Sequence, residues 1–149
     1  MTTEQFPPTG PFLLSAVICE KVLQEKDNVV SIIRIIDRLT HTIQAAEMPT
    51  ELPHVPFQFV IFINFKAGSA RGRHQIEVVS EHPSGQRKPI FATSVLFEGE
   101  DRGNNLVVRA GMEFDAEGLY WFDVLLEGRT VTRIPFRMLY QLVSTGARG

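Results

Sequence analysis

The sequence predicts an all-β fold, an Ig-like antiparallel β-sandwich of about eight strands with little helix. About a third of the 149 residues are β-branched or aromatic, and only nine are alanine; this composition suits a pleated, half-buried surface and disfavours helices. Turn-forming residues recur at short intervals, for example at Asp27-Asn28, Pro83-Ser84-Gly85 and Glu127-Gly128. Short apolar runs separated by such turns are typical of a sandwich or a barrel.

Eight strands follow from these runs, and two of them show a clear period of two. In the fourth, Ile76 and Val78 alternate with polar residues, and in the sixth every second residue from Leu106 to Phe114 is apolar. A slip of one residue would expose the whole apolar set, so the pairing is strongly specified. The third strand is apolar on both faces, as expected of a covered central strand. The predicted strands are Phe12–Glu20, Val29–Ile43, Phe57–Lys66, Arg73–Glu81, Ile90–Glu98, Asn105–Phe114, Leu119–Leu126 and Thr130–Leu142.

The last two strands form the most strongly predicted local unit, a hairpin closed by a tight turn at Glu127–Arg129. Gly128 supplies the positive φ that short hairpin loops need. Pro135 cannot donate to a ladder, so the final strand should be an edge strand or carry a bulge there. Alternation along the first strand of the hairpin places Asp123 outward and four residues toward the core: Tyr120, Phe122, Val124 and Leu126.

A single domain is expected over residues 12–143, with tails at residues 1–11 and 144–149. Lys21–Lys26 has room for one helical turn, and Glu47–Pro56, with three prolines, should be an irregular connection. The chain has 15 Lys+Arg against 17 Asp+Glu and a net charge of -2, which excludes a generally basic nucleic-acid binder. Its single cysteine excludes a disulfide framework and a cysteine-based zinc cluster.

Targeting segments are not visible in the sequence. The first ten residues lack the basic and apolar regions of a secretory signal, and the longest apolar stretch, Phe57 to Phe65, falls far short of the ~20 residues that a membrane span needs. We therefore expect a cytoplasmic protein with neither a membrane nor a nucleic acid as partner.

Two parts of the chain resemble a known family. The opening pattern, Leu13 to Cys19 followed by a short polar connection and Val30 to Leu39, is similar to a family of uncharacterised bacterial β-sandwich proteins, catalogued as a domain of unknown function. The Gly-x-Tyr-x-Phe pattern of its closing hairpin is matched by Gly118-Leu-Tyr-Trp-Phe122. The resemblance covers roughly Phe12 to Tyr140. It implies an Ig-like sandwich and no activity.

The residues that usually carry catalysis form no assembled set, so we expect no enzyme, no cofactor and no metal. The four histidines lack the spacing of a local metal pair, and neither a Gly-x-Ser-x-Gly elbow nor a phosphate loop is present. Cys19 lies in an apolar run and should be a small buried hydrophobe. Asp37 would share a buried strand face with Ile33 and Ile35, where a carboxylate must be paired or hydrogen-bonded. We favour a structural role for the Asp37 carboxylate over the alternative, a functional acid with a raised pKa.

The loops offer the candidate binding surface. If successive strands run antiparallel, one end of the sandwich gathers Lys21–Asn28, Ala67–Gly72, Gly99–Asn104 and Glu127–Arg129, and function on such folds usually lies in the loops. The arginines of this rim suit an acidic partner. Trp121, on the opposite side of its strand from the core, would be the platform for a sugar. The candidate binding residues are Arg71, Arg73, His74, Glu100, Asp101, Arg102 and Trp121.

These observations predict a non-catalytic interaction module that contacts its partner through the loop rim or a strand edge. The expected partner is another protein, an acidic one in the case of the rim. A carbohydrate- or small-ligand-binding sandwich is the first alternative, and an unrecognised hydrolase is the second. Val60, Phe62, Trp121 and Leu125 should be apolar on outer faces, which predicts self-association into a dimer.

Overall fold

The fold is all-β, as the composition predicts. In the computed structural model, which describes residues 9–144, the sequence forms seven strands and no helix, so none of the described chain is a helix able to cross a membrane. The strands are β1 (Phe12–Gln24), β2 (Val30–Ile35), β3 (Arg38–Gln44), β4 (Val55–Glu81), β5 (Arg87–Phe114), β6 (Gly118–Leu126) and β7 (Arg129–Val143).

All seven strands belong to one sheet. Its order is β2-β1-β4-β6-β7-β3, and β5 pairs with β4 outside this path. All the pairs are antiparallel except β3 with β7. The strand β4 therefore has three partners, which it reaches by using different parts of its length.

The two longest strands bend in the middle and divide the sheet into two halves. β4 has 27 residues and β5 has 28, and their ladder shifts register twice between Lys66 and Arg71. Before the bend β4 pairs with β1, and after it with β6. The first half thus contains β2, β1 and residues 55–66 of β4 with 103–114 of β5. The second contains residues 71–81 of β4, 87–98 of β5, β6, β7 and β3.

The inner faces of the two halves pack against each other through aromatic rings. Phe59 of the first half has its ring centroid 5.4 Å from that of Phe122 on β6 and 6.3 Å from that of Phe136 on β7. All three side chains are at most 4% exposed. Burial of each ring contributes a few kcal/mol, and edge-on ring contacts add to it. This aromatic layer is what holds the folded sheet together.

The strand count differs from the expected eight because two predicted loops are strand. Ala67–Gly72 and Gly99–Asn104 do not separate strands; they are the bend inside β4 and β5. Gly68 and Gly99 have φ values of 60° and 89°, which allow the chain to turn without ending the ladder, because glycine has no Cβ. The predicted second strand, in contrast, is two strands, broken at Ile36-Asp37.

The closing hairpin is largely as predicted. Gly128 has a φ of 79° in the turn between β6 and β7, and Tyr120, Phe122 and Val124 are at most 1% exposed. Leu126, at the end of the strand, is only half-buried. β7 lies between β6 and β3, so it is not an edge strand as a whole. Its pairing with β3 begins at Arg137, however, so Pro135 has a partner on one side alone, which is where proline is tolerated.

The ends and connections differ in detail from the sequence prediction. The helical turn expected at Lys21–Lys26 does not form, because β1 continues to Gln24 and a turn follows. The connection expected at Glu47–Pro56 is irregular until β4 begins at Val55. Of the expected tails, residues 1–8 and 145–149 lie outside the described residues, whereas the carbonyl of Thr9 accepts a hydrogen bond from the Ser69 amide at the bend.

Candidate functional site

The bend brings four of the predicted rim residues together. Arg71 pairs with Glu98 and Gly68 with Glu100 across the β4–β5 ladder. One shallow concavity is therefore lined by Arg71, Glu100, Asp101 and Arg102. The turn at Glu127 also reaches this region, since its carboxylate accepts a hydrogen bond of 2.9 Å from the Gln75 amide. The rim expected from loops is thus formed mostly by strands.

One member of the predicted rim lies elsewhere. β1 pairs Phe12 with Lys66 and Cys19 with Val60, so β1 runs away from the bend. The turn that follows it, within Lys21–Asn28, is at the opposite end of the first half. The prediction that these residues join the rim is wrong. It assumed eight separate antiparallel strands with every second connection at the same end, whereas the bend lies inside two long strands.

Arg71 has a structural task at the bend. Its guanidinium donates a hydrogen bond of 2.9 Å to the Glu98 carbonyl, and it lies so close to Gly99 that a Cβ there would be 2.7 Å from the Arg71 Cζ. Arg73 is exposed and has no ion pair within residues 9–144. His74 packs on Phe97, with ring centroids 5.1 Å apart. Charged bonds at exposed sites contribute about 1 kcal/mol or less, so the rim is held by backbone geometry more than by its charges.

Trp121 does not present a bare ring. The guanidinium carbon of Arg133 lies 4.6 Å from the centroid of the Trp121 ring, a cation–π contact. One face of the indole is therefore covered by an arginine, which leaves less of the ring for a sugar to stack on.

Val60 and Phe62 are 8% and 3% exposed, so the expectation that they form a solvent-exposed apolar face is wrong.

The buried carboxylate belongs to Asp123, not to Asp37. The Asp37 side chain is 81% exposed and lies 3.5 Å from Arg38, because the chain between β2 and β3 leaves the strand conformation. The Asp123 side chain is 3% exposed and accepts hydrogen bonds of 2.8 Å from Arg87 and 2.7 Å from Arg133. Glu81 completes a four-charge network with the same two arginines. The side-chain bond to Asp123 raises the pKa of each arginine.

A second concavity is a cleft between the two ends of β5. It encloses about 710 Å³ and lies where the start of β5 in the second half faces the end of β5 in the first. Its residues come from three strands, β4, β5 and β6, and the turns beside them: Pro56, Phe57, Gln58, Ser80, His82, Gln86, Lys88, Ile90, Gly111, Met112, Glu113, Asp115 and Tyr120. The volume falls within the range of ordinary ligand sites.

One wall of the cleft is a closed polar network around His82. His82 Nε2 lies 2.7 Å from Asp115 Oδ1, and His82 Nδ1 lies 2.9 Å from Ser84 Oγ. The Ser84 amide also donates to Nδ1, at 3.0 Å, so Nδ1 is an acceptor and Nε2 carries the proton donated to Asp115. This bond from His82 lowers the pKa of Asp115.

Tyr120 anchors the same wall from below. Its hydroxyl accepts the amides of Asp115 and Ala116 at 3.0 and 3.2 Å and lies 3.3 Å from Asp115 Oδ1. Burial raises the pKa of Tyr120. The polar groups of this wall therefore satisfy one another, which makes it a rigid boundary.

The rest of the cleft places one lysine, Lys88, beside an apolar floor. Phe57, Ile90 and Met112 supply the apolar surface. Lys88 lines the cleft and has no ion pair in the described chain, while Glu113 is already 3.4 Å from His54. A ligand with an apolar group and a negative charge would match this surface.

The cleft was not predicted as a site from the sequence. His82 and Asp115 are 33 positions apart, and each follows a strand end, so the one available signal was that antiparallel strands bring such ends together. Residues 9–144 contain no group of three or more histidine, cysteine or acidic side chains that could hold a metal ion. Cys19 is fully buried, as expected, and burial raises the pKa of its thiol.

Comparisons with known proteins give a family and two distant structural likenesses. No curated protein matches the sequence. The chain is similar to the alkylpurine DNA glycosylase AlkC of Pseudomonas fluorescens, solved with DNA containing an abasic site analog, at 8% identity and a TM-score of 0.40. That match covers 83% of this chain, which spans only 30% of the glycosylase. It is also similar to the CARDB domain of the PF1109 protein from Pyrococcus furiosus, solved with di-metal ions, at 6% identity and a TM-score of 0.38, over 93% of this chain and 100% of that domain.

The family match agrees with the resemblance carried by the strand patterns. A family model matches residues 14–139, which include most of β1, all of β2 to β6 and most of β7. The chain therefore belongs to the family described as "Family of unknown function (DUF6941)".

Proposed function

We propose that this chain is a non-catalytic protein-interaction module, an Ig-like sandwich, whose cleft binds an extended segment of a partner protein. The segment would carry an apolar side chain beside an acidic one. The observation behind this proposal is the unpaired Lys88 at a cleft with an apolar floor. The Ig-like arrangement is supported by the facing inner surfaces of the two halves, which meet through Phe59, Phe122 and Phe136.

The chemistry of the cleft favours a side-chain pair over a single charge. Burial of an apolar side chain against Phe57 and Met112 supplies most of the affinity, since area removed from water contributes about 25 cal/mol per Å². The ammonium of Lys88 selects an acidic neighbour, because opposite charges at a partly desolvated site give specificity. The wall at His82 and Tyr120 has few free hydrogen-bonding groups and would mark the limit of the bound segment.

Selection from a random peptide library on the immobilised protein tests this proposal. We expect enriched sequences in which an aromatic or aliphatic residue adjoins Asp or Glu. The variant Lys88→Glu should weaken a selected peptide about tenfold or more, since like charges replace opposite ones. Met112→Lys should weaken it similarly, whereas Lys26→Glu, an exposed lysine in the turn after β1, should leave the affinity unchanged. Peptides that bind equally well to Lys88→Glu would overturn the assignment.

The second candidate is a hydrolase, and the observation behind it is the row Ser84–His82–Asp115. Ser84 Oγ lies 2.9 Å from His82 Nδ1, and His82 Nε2 lies 2.7 Å from Asp115 Oδ1. The three side chains therefore stand in the order of a nucleophile, a base and an orienting acid. Against it, His82 Nδ1 also accepts the amide of Ser84 itself, so the histidine holds its own turn closed. This second role accounts for the geometry without catalysis.

Ester hydrolysis with a nitrophenyl ester separates the two candidates. We expect equal, background rates for the wild type and Ser84→Ala, because Ser84 serves the turn. A fall of about 10³-fold or more on Ser84→Ala, matched by His82→Ala, would establish nucleophilic catalysis and contradict the non-catalytic assignment. Circular dichroism of each variant checks that the fold is retained.

A further inference from the structure

The free edge of β5 contains an unprotected segment, residues 91–97. β5 pairs with β4 and with no other strand of the described chain. The segment reads Phe-Ala-Thr-Ser-Val-Leu-Phe and has neither a charge nor a proline. Natural proteins normally protect an exposed edge strand from pairing with another chain by means of charged residues, proline or a distorted backbone. The edge strand β2 has Arg34 at a φ of 55°, and β3 contains Arg38 and His41.

The two ends of this segment carry opposite charges. Arg87 and Lys88 precede it, and Glu98, Glu100 and Asp101 follow it. Within residues 9–144 no ion pair involves Lys88, Glu100 or Asp101. A parallel copy of the strand would set like charges side by side, whereas an antiparallel copy sets the basic end of one beside the acidic end of the other.

We propose that two copies of this chain associate by antiparallel pairing of their β5 edges around a two-fold axis at Ser94. This inference shares Lys88 with the cleft but does not require a bound peptide. Pairing is bounded at one end by Pro89 and the register shift beside Ile90, and at the other by Gly99 and Glu100, both at positive φ. Within these limits the uncharged segment, residues 91–97, is centred on Ser94.

The two-fold axis imposes its own consistency test, which the segment satisfies. A two-fold axis normal to the sheet leaves each side chain on its own face of the sheet. Two residues that pair across the axis must therefore both point to the same face. Centring on Ser94 pairs Phe91 with Phe97 and Thr93 with Val95 on the face whose Val95 and Phe97 are buried. On the opposite face it pairs Ala92 with Leu96, which is 47% exposed. Two of these three pairs are apolar on both sides, Phe91 with Phe97 and Ala92 with Leu96. Amides and carbonyls of the edge gain partners, except the Leu96 carbonyl, which already accepts a hydrogen bond of 3.2 Å from Asn104 Nδ2.

A cysteine on the axis tests this geometry directly. Residues facing each other in an antiparallel pair have Cα atoms roughly 4.5–5.5 Å apart, within the range a disulfide spans. Ser94→Cys should therefore give a covalent dimer under mild oxidation. Ser31→Cys, an exposed serine on the edge strand β2, is the matched control and should stay monomeric. The native Cys19 is fully buried. Equal cross-linking of the two variants would overturn the proposal.

Sedimentation of charge variants identifies the occupant as a second copy. We expect Lys88→Glu and Glu100→Lys each to weaken the dimer about tenfold, and the double variant to recover it, because each change is repaired across the two-fold axis. Leu96→Lys with Ala92→Lys should abolish it. A wild type that remains monomeric at about 100 µM, a concentration where weak interfaces assemble, would also overturn the proposal. Peptide binding in the cleft is read separately, since the double variant should regain the dimer without regaining the peptide.

Discussion

Phe59→Ala is expected to lower the free energy of unfolding by about 4 kcal/mol. Large-to-small changes at buried aromatic positions cost about 3–5 kcal/mol, because the lost transfer energy adds to the cost of the cavity. Phe59 is 4% exposed, and its ring lies near those of Phe57, Phe114, Phe122 and Phe136. Removal of this ring opens a void between the two halves of the sheet, which its neighbours can fill only in part.

Thermal and urea unfolding measure this effect. For a chain of this size, 4 kcal/mol corresponds to a fall in Tm of roughly 10–15 °C. Phe12→Ala is the matched control, since Phe12 is 45% exposed and its removal should cost about 1 kcal/mol or less. A double-mutant cycle with Phe122→Ala should show coupling of about 1 kcal/mol. Additive losses would mean that the halves do not pack through these rings.

Local pattern predicted the strands whose two faces differ, and it failed where glycine changes the path of a strand. The alternation at Ile76 and Val78 and the turn at Gly128 depend on neighbours in sequence, so they can be read from it. Gly68 and Gly99 look like loop glycines in the sequence. They form bulges because β4 and β5 remain paired on both sides of them, and that pairing is a tertiary fact.

The site was less predictable than the fold for a related reason. Alternation along the sequence predicted a buried Asp37 and an outward Asp123, and both predictions are wrong: the side chains are 81% and 3% exposed. β2 ends at Ile35, and the break turns Asp37 into solvent. Asp123 stays in a continuous strand beside Val79, and its partners Arg87 and Arg133 come from two other strands. His82 and Asp115 likewise meet only because the bend aligns the distant ends of β4 and β5.

Asp123→Ala is expected to lower the free energy of unfolding by about 3 kcal/mol. Hydrogen bonds to charged groups contribute about 1.5–3 kcal/mol each, and loss of one partner from a buried pair costs about 3–5 kcal/mol because the remaining charge is uncompensated. The Arg87 and Arg133 side chains are 42% and 41% exposed, so they can turn partly to water, which places the expected loss at the low end. The fall in Tm should be roughly 6–12 °C.

The matched control for this change is Asp101→Ala, an exposed acid without an ion pair in the described chain, which should move the Tm by about 1 °C or less. Asp123→Asn keeps one acceptor oxygen for an arginine and should lose less than Asp123→Ala. The order of the three variants then separates a bond-specific effect from a change in net charge, since Asp123→Ala and Asp101→Ala alter the charge equally. Equal stabilities of those two variants would show that the network around Asp123 adds nothing to the fold. In that case Glu81 would hold both arginines, and the Trp121 ring would also hold Arg133.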